Sequence, residues 1–380
     1  MTQTTLAGRV QEIDAVRGFA LAGILVANIG FLADPGYALS GAMPIPDGPV
    51  ALAITAFVLT KFYIIFSFLF GYSFTLQMRA AERAGASVRA RTLRRCLALF
   101  VIGLAHGLLL WIGDILTLYA VLGLVLLALR GLRPRTAVIA GSSIIGVLTL
   151  FWLALAWLST LDPAAGQPAA ADPAAAARVL ALATGGPLDF LTMQTELYPP
   201  LVAMIWLFQG PTALAMFLFG LAAGKSRLLE GLGQRPRLLA RVQWAGFGAG
   251  LPGGLLYAWT SGRTGAVELL GGAVNTLTSI LLAATYVATL LRLIGRFPAA
   301  GRVLAAPGRV AASNYVSQSL LIALVFTGYG LALAGRLSPI AVMGVALVIY
   351  TVLVWASGRW LRTHRHGPVE YVLRRITNWR

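Results

Sequence analysis

His106 stands in Gly103-Leu104-Ala105-His106-Gly107, inside an apolar run that begins just after Arg94-Arg95. A neutral imidazole near pH 7 suits a general base. The other reading is a histidine that bonds a neighbouring helix, a contact worth about 0.6–2 kcal/mol. Asp114 follows in Trp111-Ile112-Gly113-Asp114-Ile115, either as the cap of the next helix or as a carboxylate facing a substrate vestibule. Asp14 and Arg17 are three residues apart and share a helix face. They either anchor the first helix at the headgroups or form part of a buried site, since arginine is the usual binder of phosphate and carboxylate. Asn28 lies eleven residues beyond Arg17, roughly 16 Å deeper along a helix. Gln209, Asn314 and Gln318 complete the set of polar groups at depth, and the last two are four apart on one face. Such amides either tie helices together or line a substrate path. Lys61 is read as a snorkelling residue near a span end, and Tyr63, Ser67 and Tyr72 as packing and interface residues. His364 and His366 fall in the basic tail.

These groups matter because of the medium that must hold them. The chain has 380 residues, of which 58% are hydrophobic and only 11% charged, and its mean hydropathy is +0.80. Apolar residues come in blocks such as Val138 to Leu158. About 20 apolar residues cross a 30 Å hydrocarbon core, so the blocks read as membrane spans, and a polar group at that depth is a functional hypothesis by default. A soluble enzyme, a disordered chain and a disulfide scaffold (Cys96 is the single cysteine) are excluded.

The net charge of +17 follows topology rather than nucleic acid. All of the 30 Lys and Arg except Lys61, Arg178, Arg263 and Arg336 fall in alternate loops and the two ends, which is the positive-inside pattern. The expectation is an all-α polytopic bundle of about ten helices forming a single integral membrane domain over 1–380, with both termini cytoplasmic. The spans are 16–33, 55–78, 96–112, 115–130, 136–159, 198–223, 242–261, 268–291, 310–333 and 338–358. Gly113-Asp114 makes a tight hairpin of the third and fourth, and Pro211 should kink the sixth. The segment 160–197, with its Ala, Pro and Gly, is expected to be an outside loop, flexible or partly helical. The first span lacks a small-x-small cleavage site, and Asp34-Pro35-Gly36 after it reads as a turn.

Several chemistries are missing from the pattern. There is no Walker A loop and no His-x-x-x-His or Cys-x-x-Cys spacing, so no metal is expected. Gly271-Gly272 suits close helix approach.

The motifs in their order resemble the YeiB-like family of multi-spanning bacterial membrane proteins, over nearly the whole chain. They are Ile-Asp-Ala-Val-Arg-Gly-Phe-Ala at 13–20, Phe-Ser-Phe-Leu-Phe-Gly at 66–71, Gly-Leu-Ala-His-Gly at 103–107, Trp-Ile-Gly-Asp-Ile-Leu at 111–116, Gly308 to Tyr315 with Gln318-Ser319, and Gly-Pro-Val-Glu-Tyr at 367–371. That family distantly resembles the membrane acyltransferases, which move an acyl group from cytoplasmic acyl-CoA to an acceptor across the membrane. The resemblance implies a bacterial inner-membrane location and acyl-CoA as donor. Arg17 matches the arginine of the O-acyltransferase motif, but Asn28 stands where that motif has its catalytic histidine, and asparagine cannot act as a base.

Two functions compete. In a membrane acyltransferase, His106 would deprotonate a hydroxyl or amine acceptor, Asn28 would orient it or donate to an oxyanion, and Arg17, Arg94, Arg95 and Arg309 would hold the donor's phosphates. The arginines have a second reading as the topology signal alone. In a transporter or flippase, His106, Asn28 and Gln318 would line the path of a small or lipid-linked substrate, although no inverted repeat is visible. A structural or sensory role is a third, weaker reading. The partners expected are the lipid bilayer and an acyl acceptor, with no nucleic acid, and a homo-oligomer would have to be built through helix faces.

Overall fold

The computed structural model describes residues 3–36, 48–161 and 172–379. Among them the secondary structure is helical, without strands. The helices are α1 (Gln3–Ala33), α2 (Pro49–Phe57), α3 (Lys61–Arg83), α4 (Val88–Leu109), α5 (Leu116–Ala128), α6 (Pro134–Leu161), α7 (Pro173–Thr184), α8 (Pro187–Lys225), α9 (Pro236–Ala245), α10 (Leu251–Thr260), α11 (Ala266–Arg296), α12 (Pro298–Arg309), α13 (Ala311–Phe326), α14 (Pro339–Trp360) and α15 (Pro368–Thr377). Many begin on proline, whose fixed φ and missing N–H suit the first helical position.

Among the described residues, seven segments are long and apolar enough to cross a membrane: Gln11–Ala33, Pro49–Arg83, α4, α6, α8, α11 and α14. The chain is therefore a multi-pass membrane protein. Large apolar side chains such as Leu97, Leu150, Trp157, Leu347 and Trp355 face outward, as lipid contact requires. The expected spans at 115–130, 242–261 and 310–333 correspond to shorter or interrupted helices. Helix α5 has 13 residues. Between α9 and α10 the backbone widens into a π-turn at Gly246–Gly250, where a methyl group on Gly246 would overlap Thr285 of α11. Helix α13 stops at Phe326, and Thr327 turns its hydroxyl onto the Ala323 carbonyl at 2.8 Å.

The segment expected as an outside loop at 160–197, flexible or partly helical, is largely helical where it is described. Residues 162–171, which include the proline-rich run at 163–168, lie outside the described residues. The rest is nearly all helix: α7, capped by Asp172 on the Ala174 N–H, and the first turns of α8, where the Asp189 carboxylate takes the Gly186 N–H at 2.7 Å. Helix α8 starts before residue 198 and runs through Pro199, Pro200 and Pro211. The turn at Asp34-Pro35-Gly36 is present.

The framework packs α3 against α8, α1 against α12 and α4 against α5. The α1–α12 contact is intimate because a methyl group at Gly308 would overlap the Asp14 carbonyl. It brings Arg17 and Arg309 to the same end of the bundle. That end also gathers Arg79, which donates to the Gly224 carbonyl, and Lys225, which donates to the Arg130 and Leu132 carbonyls at 2.6 Å each. One end of the molecule is thus rich in arginine and lysine, as the alternation of basic loops requires.

Candidate functional site

The hairpin of α4 and α5 places His106 and Asp114 together. His106 Nδ1 lies 2.9 Å from Asp114 Oδ1. The second carboxylate oxygen accepts the Thr117 N–H at 2.9 Å. Asp114 therefore caps α5, which is one of the two readings the sequence had offered, and it also orients the imidazole. The carboxylate reaches its place because residue 103 is glycine: a Cβ there would lie 2.8 Å from Asp114 Oδ2 and 2.7 Å from the Thr117 nitrogen.

The other ring nitrogen meets a residue that sequence reasoning did not select. His106 Nε2 is 2.8 Å from Ser319 Oγ on α13. His106, Asp114 and Ser319 are all buried, at 3%, 0% and 4% exposure. With the carboxylate accepting from Nδ1, a neutral imidazole presents Nε2 as the acceptor for the serine proton. The Tyr315 ring packs against His106 with centroids 4.9 Å apart.

Beyond Tyr315 is a cavity of about 760 Å³. Arg17, Arg91, Arg95, Arg309 and Arg374 line it at the basic end, and Ile24, Tyr63, Tyr119 and Tyr315 line its inner part. The Arg95 Nε is buried without a hydrogen-bond partner among the described residues. Arg17 is held in place by Asp14 at 2.8 Å and by Ser73. Glu370 also lines the cavity, but its carboxylate is engaged by the Ala312 N–H at 2.7 Å and the Ser313 hydroxyl. It caps α13, the helix that carries Tyr315 and Ser319.

The residues picked from the sequence thus divide. Arg17, Arg95 and Arg309 converge on the cavity, and Arg91 and Arg374 join them unpredicted. Arg94 does not line it; its guanidinium donates to the Trp379 carbonyl. Asn28 is half-buried on α1, and among the described residues no hydrogen bond joins it to His106. Asp14 serves Arg17. Gln209 is half-buried on α8, away from the cavity lining. Asn314 donates to the Pro307 carbonyl at 3.1 Å and to Ser357 at 2.8 Å, and Gln318 donates to the Leu21 carbonyl at 3.1 Å. Both amides are ties to neighbouring elements. Lys61, expected to snorkel, is instead wholly enclosed. Among the described residues no group of three His, Cys, Asp or Glu is placed to hold a metal ion.

Fold and site define a class: a polytopic helical membrane protein with an arginine-lined cavity and a Ser–His–Asp constellation in its interior. Comparison with known proteins places it further. Residues 223–380 match the family model described as "Protein of unknown function (DUF418)". Over 97% of its length the chain is 31% identical to the uncharacterized protein YxaH of Bacillus subtilis (strain 168), covering 94% of that protein. It is 27% identical to an uncharacterized 39.9 kDa protein encoded in the amylase 3' region of Bacillus acidopullulyticus, covering 99% of this chain and 96% of that one. It is 25% identical to the uncharacterized protein YeiB of Escherichia coli (strain K12), over 96% of this chain and 95% of that one. The chain belongs to the DUF418 family, to which the YeiB-like motifs of its sequence had pointed.

Proposed function

We propose that this protein is a membrane-embedded acyltransferase of the bacterial inner membrane, which takes an acyl group from acyl-CoA at its arginine-rich, cytoplasmic end and passes it to a hydroxyl or amine acceptor. The observation that carries the reading is the cavity. Five arginines at its mouth suit a donor with several phosphates, because guanidinium groups bind phosphate oxygens through paired, charge-assisted hydrogen bonds. Its volume, about 760 Å³, is within the usual range for an organic ligand, roughly 300–1,000 Å³. The inner wall is aromatic and apolar, as an acyl thioester entering a membrane interior needs. That wall ends on Tyr315, which is packed against the base His106. Both termini then lie in the cytoplasm.

The test is saturable binding of labelled acetyl-CoA by the detergent-purified protein. Arg309→Ala and Arg17→Ala are each expected to weaken binding about tenfold or more, the worth of a charged hydrogen bond. If the wild type binds neither short nor medium acyl-CoA, the reading falls. Flux of an anionic solute into vesicles without covalent change would then assign the same cavity to a transporter.

A further inference from the structure

We infer that Ser319 is a catalytic nucleophile and carries the transferred group as an ester between donor and acceptor. The identity of that group rests on the acyl-transfer reading; the nucleophilic character of Ser319 does not.

Ser319 departs from the ordinary behaviour of a hydroxyl in an apolar helix. In an apolar helix, Ser and Thr ordinarily return their proton to the carbonyl four residues back. Thr149, Thr276, Thr278 and Thr351 do so at 2.8–2.9 Å. For Ser319 the corresponding acceptor, the Tyr315 carbonyl, is 3.4 Å away, whereas His106 Nε2 is at 2.8 Å. The proton therefore points at the imidazole. The imidazole is in turn held in the tautomer that can take it, because Asp114 Oδ1 occupies Nδ1 and the Thr117 N–H holds the other carboxylate oxygen. A tie between helices needs a single bond. This arrangement has three in series with a fixed donor order, supplied by α4, by the turn before α5 and by α13. That order is the one by which a serine is activated on unrelated folds.

Access is also built in. Tyr315 is one turn before Ser319 on the same face of α13, covers His106 and lines the arginine cavity. The Tyr315 ring thus touches both the constellation and the cavity.

The chemistry balances without a co-reactant. Ser319 Oγ attacks the thioester carbonyl carbon while His106 Nε2 takes its proton. The carbon–sulfur bond breaks, and the thiolate leaves with the proton from the imidazolium. The products are a Ser319 ester and a free thiol. An acceptor hydroxyl then attacks the ester carbon and gives its proton to His106, which returns it to Ser319 Oγ as the carbon–oxygen bond breaks.

The test uses the full-length protein in detergent with two reagents: a fluorophosphonate, which marks activated serines irrespective of the natural substrate, and labelled acetyl-CoA. Peptide mapping is expected to find both adducts on Ser319. Labelling should be absent in Ser319→Ala and at least 10³-fold slower in His106→Gln, a loss in line with removal of a triad member. Ser319→Cys, which keeps a nucleophile at that atom, should take the acetyl group as a thioester and so controls for folding. Phosphonylation of Ser319 without acetylation would keep the nucleophile and reject acyl-CoA as the donor. Acetyl transfer that persists at the wild-type rate in Ser319→Ala would overturn the nucleophile and leave the acyltransferase reading intact. No adduct on Ser319 from either reagent would also overturn it.

Discussion

Two of the ionisable sites buried in this bundle are built on opposite plans. At His106, Asp114 and Ser319 every polar atom has a short, directional partner, 2.8–2.9 Å away, and the donor order is fixed along the series. At Lys61, which is 0% exposed, the ammonium has no carboxylate beside it among the described residues. Its Nζ meets the Thr55 carbonyl at 3.3 Å and Asn275 Oδ1 at 3.2 Å, with the Tyr257 ring centroid 5.6 Å away. The reason lies in the backbone. Between α2 and α3 the helix is broken, with Thr60 in a left-handed conformation at φ 70°. The break frees the last carbonyls of α2, and in lipid a freed carbonyl must find a donor inside the protein. Lys61 supplies it, and Asn275 of α11 pins both Lys61 and Thr60. On the proposal above the first site is arranged to move a proton; the second is arranged to hold a bend.

The contrast breaks most readily at Asp114. Asp114→Asn keeps the side chain's size and an oxygen for the Thr117 N–H, but it reverses the hydrogen-bond order at Nδ1. The turnover number for acyl transfer is expected to fall on the order of 10⁴-fold, as when the carboxylate of a triad is neutralised, while KM and the thermal midpoint stay near wild type. Lys61→Met, assayed beside it, should alter turnover by less than about twofold. Equal losses in the two variants would mean that both sites serve one proton path. The next largest effect is on stability. Asn275→Leu strands Lys61 and Thr60 and is expected to cost about 1–3 kcal/mol, the price of an unpaired buried polar group. Adding Lys61→Met should recover much of that loss, because removing both partners is milder than removing one. Additive losses in this double-mutant cycle, read by thermal unfolding in detergent, would show that the two residues do not act together.

The first site could be read in part from the chain, and the second could not. His106 and Asp114 stand out because an imidazole and a carboxylate are expensive in an apolar run, and Gly113 announces the hairpin that joins them. Ser319 was invisible as a site residue, since a serine in a membrane helix normally satisfies itself on its own backbone. Only the meeting of α4 with α13, far apart in sequence, takes its proton elsewhere. The arginines declared themselves by charge, yet their convergence depends on Gly308 letting α12 lie against α1. Arg94 and Arg95 are adjacent in sequence, so only the rotation of α4 decides that Arg95 lines the cavity and Arg94 reaches Trp379. Lys61 was misread because Val58-Leu59-Thr60 contains neither Pro nor Gly to signal a break, and a lysine at a presumed span end reads as one that reaches water. The spans were legible as apolar blocks. Their ends were not, because α7 and the start of α8 are set by local caps and by packing of Val179, Phe190 and Met193 against the core.

The smallest expected effect tests the boundary of the first site. Gln318 precedes Ser319 on α13, but a step of one residue turns about 100° around a helix, and its amide donates to the Leu21 carbonyl of α1. If this amide is a tie, Gln318→Met removes one interhelical hydrogen bond of the kind that averages about 0.6 kcal/mol in membranes. It conserves volume, and it leaves the His106–Ser319 distance unchanged. The thermal midpoint should drop slightly, with turnover and KM both within about twofold of wild type. A residue on a substrate path behaves otherwise: KM rises while the midpoint holds, because the lost contact is with the ligand and not with α1. The two outcomes move different observables, so one variant decides whether the chemistry ends at Ser319 or extends along α13.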